Sequence, residues 1–161
     1  MKSHPTILIV LSLAVLASVM LAACGPAATP VPTTAPVAQA PAASGSLSVK
    51  GLVDKPLTLS EKDLRAMAVV TITANQPKVG STSFTGVRIS DLMTAASVQA
   101  SAANLVLTGS DGYSAQIDLA TLKACTDCMV AFTDTPGVFL TVMPNQPGKV
   151  WVKGVVSLEF K

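Results

Sequence analysis

Apolar and polar positions alternate with period two over many short stretches of this 161-residue chain, and follow a helical period over only a few. Leu47, Val49 and Gly51 alternate with polar neighbours and predict a first strand. Asp54-Lys55-Pro56 is a turn signal, and Leu57-Thr58-Leu59 a short extended piece. Ser60 reads as an N-cap, with Glu61 and Asp63 in the first helical turn and Leu64 and Met67 on the buried face. Residues 69–74 are rich in β-branched side chains and predict a strand. A loop over 77–81 leads to another strand over 83–87. Ser90 is expected to cap a second helix whose Leu92, Met93 and Ala96 face inward. Residues 105–107 and 113–117 predict a hairpin around Asp111-Gly112. Asp118 is expected to cap a short helix ending near Ala124. Further strands are predicted over 129–132 and 138–142, with turns at 135–137 and 144–148. In the last segment Val150, Val152, Gly154, Val156, Leu158 and Phe160 fall on one face. Trp151, Lys153, Ser157 and Glu159 fall on the other, which predicts one long half-buried strand. The fold class is α+β: short strands in mixed or antiparallel order with two or three short helices.

The chain ahead of this domain has a different grammar. Lys2 precedes an apolar run over residues 6–20, and Leu21-Ala22-Ala23-Cys24 closes it. That pattern is expected of a lipoprotein signal peptide over residues 1–23, with Cys24 as the lipid acceptor. The run is short for a spanning helix. It lacks a twin arginine, so the general secretory route is expected. The implied location is extracytoplasmic, on a membrane, through an N-terminal lipid. Residues 24–45 then carry Pro26, Pro30, Pro32, Pro36 and Pro41 without a single charge. Such a segment reads as a stalk reaching ~40–65 Å when extended. Residues 46–161 are enough for one domain.

Charge and composition narrow the chemistry. The formal net charge is +2, and the domain part is nearly balanced, so nucleic acid is not an expected partner. A small ligand or a protein partner stays open. The single histidine, His4, falls in the expected signal peptide. The mature domain is therefore expected to lack an imidazole, which excludes Ser-His-Asp triads, Cys-His pairs and histidine-bearing metal sites. Cys125-Thr126-Asp127-Cys128 is the sharpest local chemical feature. Outside the cytoplasm a structural disulfide between Cys125 and Cys128 is the first reading. A redox-active pair, a two-thiolate metal site and a reduced buried pair are the alternatives. Met67, Met93, Met129 and Met143 are scattered and read as core. Trp151 reads as packing before ligand stacking.

The order Val49-Lys50-Gly51-Leu52-Val53, Pro56-Leu57-Thr58-Leu59, Asp63-Leu64, Phe84-Thr85-Gly86-Val87, Asp91-Leu92, Ser110-Asp111-Gly112-Tyr113 and Gly148-Lys149-Val150-Trp151-Val152-Lys153 resembles the molybdopterin-binding domain of sulfite-oxidase-like oxidoreductases. The resemblance covers nearly all of residues 46–161. It implies a mixed α+β domain whose loops hold a pterin-bound molybdenum, with a cysteine thiolate on the metal after the 69–73 strand. Here that segment reads Thr73-Ala74-Asn75-Gln76-Pro77-Lys78-Val79-Gly80-Ser81 and has no cysteine. A soft thiolate is not replaced by an amide or hydroxyl without changing the metal chemistry. The resemblance also implies basic residues around the pterin phosphate, whereas Arg65 and Arg88 are the only arginines. Family enzymes take up the cofactor in the cytoplasm and are exported folded, which the secretory-type signal does not match. The expectation is a retained fold without molybdenum chemistry: no catalytic residue, no metal ligand and no resident cofactor, although the resemblance itself implies molybdopterin. Asn75, Thr85, Asp111, Tyr113 and Lys149 match family positions that would line a ligand pocket. The leading function is a non-catalytic binding or accessory lipoprotein. The alternatives are a molybdopterin-dependent oxidoreductase and a thiol-disulfide protein using Cys125 and Cys128.

Overall fold

Two sheets share the work of burying the apolar stripes. The computed structural model describes residues 45–161, so the expected signal peptide, Cys24 and all but the last residue of the linker lie outside the described residues. The first sheet takes β1 (Ser46–Gly51), β2 (Leu57–Ser60), β5 (Asn104–Gly109), β6 (Ser114–Asp118) and β9 (Val155–Phe160) in the order β2-β1-β9-β5-β6. Only β1 and β9 run parallel; the other neighbours are antiparallel. The second sheet is antiparallel throughout, with β3 (Val69–Gln76), β4 (Gly80–Arg88), β7 (Met129–Phe132) and β8 (Phe139–Val142) in sequence order. Three short helices, α1 (Glu61–Arg65), α2 (Ile89–Ala96) and α3 (Leu119–Ala124), connect them. This is the α+β architecture of short strands that the alternation predicts.

The helix starts show why local sequence suffices in two cases and fails in a third. Ser60 Oγ accepts the Asp63 N–H, and the Asp63 carboxylate accepts the Ser60 N–H at 2.9 Å, a reciprocal capping box. Asp118 Oδ1 accepts the N–H groups of Ala120 at 2.9 Å and Thr121 at 3.1 Å. Ser90, by contrast, does not cap α2. The cap position is Arg88, which makes no side-chain cap bond, and the Ile89 N–H donates to the Cys128 carbonyl at 2.9 Å. A tertiary contact with the chain entering β7 thus satisfies an end that the sequence assigned to a hydroxyl.

Leu47, Val49, Leu64, Leu92, Leu105, Leu107, Leu158 and Phe160 are fully buried in the main core. Each such side chain contributes about 1.5–3 kcal/mol of transfer free energy. Ala74, Phe84, Met129, Ala131 and Val142 form a smaller cluster on one face of the second sheet. β7 is covered on both faces, with Val130 in the main core and Met129 and Ala131 in the smaller one. Gly86 is needed here, because a Cβ on it would run into the Val130 carbonyl of the neighbouring strand. Met129 and Met143 are buried, while Met67 and Met93 pack partly buried against the core.

The closing segment differs from its prediction. Gly148–Val150 is a turn of 3-10 helix, Trp151 and Val152 are not in a strand, and β9 begins only at Val155. Gly154 sits at φ +67° and breaks the alternation, so Val155 rather than Val156 is the buried residue after it. Upstream of this break the chain crosses to the second sheet, where Leu140 and Lys153 form an antiparallel bridge.

Candidate functional site

The sequence-predicted ligand residues separate into two groups. Asn75 and Thr85 lie on the exposed face of the β3–β4 hairpin. Thr85 shares a 2.8 Å hydroxyl–hydroxyl hydrogen bond with its cross-strand partner Thr71, and Asn75 stands opposite Ser81. The other three residues come together across the molecule. Asp111 Oδ1 accepts the Tyr113 N–H at 2.9 Å, which builds the turn between β5 and β6. The Tyr113 hydroxyl donates to the Lys149 carbonyl at 3.0 Å, although the ring is 46% exposed. A Cβ on Gly148 would touch Pro77, so the turn after β3 and the turn carrying Lys149 adjoin. Trp151 follows and stacks edge-on against Phe84, with ring centroids 5.8 Å apart. Trp151 therefore packs, joining both core clusters.

Two concave surfaces lie elsewhere, around the cysteine pair. Cys125 and Cys128 are joined in a disulfide just after α3. Cys128 is buried, whereas Cys125 is partly exposed and lines two open clefts of about 550 Å³ and 380 Å³. The larger is walled by Arg88, Ser90, Met93 and Thr94 from one side and Leu122 and Lys123 from the other. The smaller takes Thr121 and Asp127 with Asn145 and Gln146. Arg88 reaches Asp127 at 3.3 Å, tying the base of α2 to the cysteine loop. Sequence reasoning found the cysteines but not Arg88 or Lys123 as their neighbours. A pairing across 39 residues of chain leaves no periodic or motif signal.

These residues do not fit a thiolate-bound molybdenum. The connection from β3 to β4, where the resemblance places the ligand, runs Pro77-Lys78-Val79, and the described cysteines are spent on each other at the start of β7. Both arginines are engaged. Arg65 pairs with Glu61 at 2.6 Å and lies 4.0 Å over the Phe132 ring, and Arg88 pairs with Asp127. Lys78 and Lys149 are the cations at the adjoining turns, and point charges on exposed stems offer an anion no bidentate grip. Among the described residues no group of three histidine, cysteine or acidic side chains could hold a metal ion, and no helix is long and apolar enough to cross a membrane.

The paired sheets and three short helices define a sulfite-oxidase-like fold, and a solved structure carries the same arrangement. The sulfane dehydrogenase SoxCD from Paracoccus pantotrophus superposes with a TM-score of 0.62 at 23% identity. The match covers 71% of this chain but 37% of the SoxCD chain, so this chain spans well under half of that relative's length. No curated protein sequence matches. Residues 33–161 match the oxidoreductase molybdopterin binding domain family, and the chain belongs to that family.

Proposed function

We propose that this family member is a lipid-anchored, extracytoplasmic binding or accessory module that uses the molybdopterin-binding scaffold without molybdenum catalysis. One observation carries the reading: the β3–β4 turn offers no thiolate, and the thiols of the described domain are locked together at the opposite end of the second sheet's connections. Metal coordination needs donors of the right softness at the right place, and here neither is supplied. The lipobox ending at Cys24 and the charge-free proline-rich stretch after it support display of the domain away from a membrane. The test is to express the full chain with its native signal and quantify molybdenum and extractable pterin in the purified protein. Neither is expected above background; one molybdenum per chain overturns the reading in favour of a molybdopterin-dependent oxidoreductase. Cys24→Ala is expected to shift the protein from the membrane to the soluble extracytoplasmic fraction.

A thiol-disulfide function is the second reading, favoured by the partial exposure of Cys125 between two clefts. Against it, Cys125 follows the C-terminal end of α3, where the helix dipole disfavours a thiolate. A reduction potential below about −300 mV identifies an inert structural bridge.

A further inference from the structure

β3 is an outer strand of the second sheet, and among the described residues it pairs only with β4. Its sequence is Val-Val-Thr-Ile-Thr-Ala-Asn-Gln, eight residues with no charge and no proline, in unbroken register with β4. Sheet edges are normally blunted by shortness, charge, proline or a bulge. The remaining edges here follow that rule: β2 has four residues, β6 has five and ends in Asp118, and β8 is covered by the 150–153 segment through Thr141 and Leu140. Among the described residues, β3 is the long, neutral edge that no neighbouring strand covers. Its apolar face carries Val70 and Ile72, which pack against the smaller core cluster but stay half-buried.

We propose that β3 pairs antiparallel with β3 of a second copy of this chain, across a two-fold axis at Ile72. The residue order about that point is self-complementary. Ile72 meets Ile72 of the other copy and Val70 meets Ala74, so the two apolar faces join side by side into one continuous stripe on the same side of the sheet. On the opposite face Thr71 meets Thr73, a cross-strand hydroxyl pair of the kind already seen between Thr71 and Thr85. Register sums that are even keep the apolar faces on one side, and a shift by one residue would set Ile72 against Thr73. With no charge on the strand, self-pairing brings no like charges together. The chain's own residues 26–41 are a poor occupant, since no more than four residues separate successive prolines and each proline lacks a ladder donor. Tethering to one membrane raises the effective concentration for pairing.

The test uses the full chain in detergent, with protein mass measured by light scattering corrected for bound detergent. Wild type is expected to give the mass of two chains. The double variant Thr71→Lys, Thr73→Lys places lysines opposite each other across the axis on exposed positions, and is expected to give one chain with an unchanged circular dichroism spectrum. Co-expression with Thr71→Glu, Thr73→Glu is expected to restore a two-chain species containing one of each. A wild-type mass of one chain, as when another protein's strand or the chain's own N-terminal stretch fills the edge, overturns the proposal. So does a dimer that the lysine pair leaves intact.

Discussion

Thr141 and Val152 are joined twice. The Thr141 N–H donates to the Val152 carbonyl at 3.0 Å, and the Val152 N–H donates to Thr141 Oγ1 at 2.7 Å. The same hydroxyl donates to the Val150 carbonyl at 2.7 Å, and Thr141 is wholly buried. One side chain thus satisfies two backbone groups of a segment that belongs to no strand, and binds the last strand of the second sheet to the chain entering β9. Thr141→Val keeps the shape and deletes both bonds, leaving a buried carbonyl and a buried N–H without their partner. A loss of about 2 kcal/mol or more is expected in urea unfolding, whereas Thr141→Ser, which keeps the hydroxyl, is expected to lose less. Equal stability of the valine variant and the wild type would refute the role.

Glu61 is expected to make the domain acid-sensitive. Its Oε2 accepts the Gly137 N–H at 2.7 Å across 76 residues of chain, and its other oxygen pairs with Arg65. The Gly137 N–H first, and the Arg65 guanidinium second, hold the Glu61 carboxyl below its ordinary 4.5. The Ser60 hydroxyl and N–H hold Asp63 below its ordinary 3.8. A carboxyl depressed in the folded state adds stability that is present above its ordinary value and lost as pH falls through the folded one. The melting temperature is therefore expected to hold from pH 7 to about 5 and to fall below that. Glu61→Gln lowers it at pH 7 and flattens the acid decline, with the Asp63 contribution remaining. An identical acid slope in the variant would count against this pairing.

The disulfide closes a loop of only a few residues, so its effect on the unfolded chain is modest, about 2 kcal/mol. Cys125→Ser with Cys128→Ser is expected to lower the melting temperature by roughly 5–15 °C while the domain still folds. Failure to fold would show that the bridge also positions the Ile89–Cys128 contact that completes α2.

Trp151 spans the two core clusters, and Trp151→Ala is expected to cost about 3–5 kcal/mol. Trp151→Phe is expected to cost far less, because Nε1 is buried without a hydrogen-bond partner among the described residues and its loss forfeits no bond. A phenylalanine variant as unstable as the alanine one would count against this reading.

Much of the fold was legible because its signals are local. Ser60 and Asp118 cap helices with their own side chains, and the Asp111-Gly112 turn is built by the Asp111 carboxylate within two residues. Ser90 looked equally suitable, yet the Cys128 carbonyl had already taken the α2 end. The valine stripe from 150 onward looked like one strand, yet a positive φ at Gly154 and the bonds to Thr141 divide it. Of the candidate ligand residues, only Asp111, Tyr113 and Lys149 are brought into one place. The cleft walls around Cys125 had no signal in the chain, since they are assembled from residues 88–98 and 121–146.

The sequence by itself determined the α+β class, most element positions, the absence of a thiolate after β3 and the pairing partners available to Cys125. These follow from side-chain periodicity, cap chemistry and counting, which act over a few residues or require no geometry at all. Only the tertiary structure decided where the last strand begins, what caps the start of α2, which cations face the cysteine loop and which sheet edge is left unpaired among the described residues. Each of those depends on a backbone or side-chain group satisfied by a partner far along the chain, and such partners are set by packing, not by neighbours in sequence.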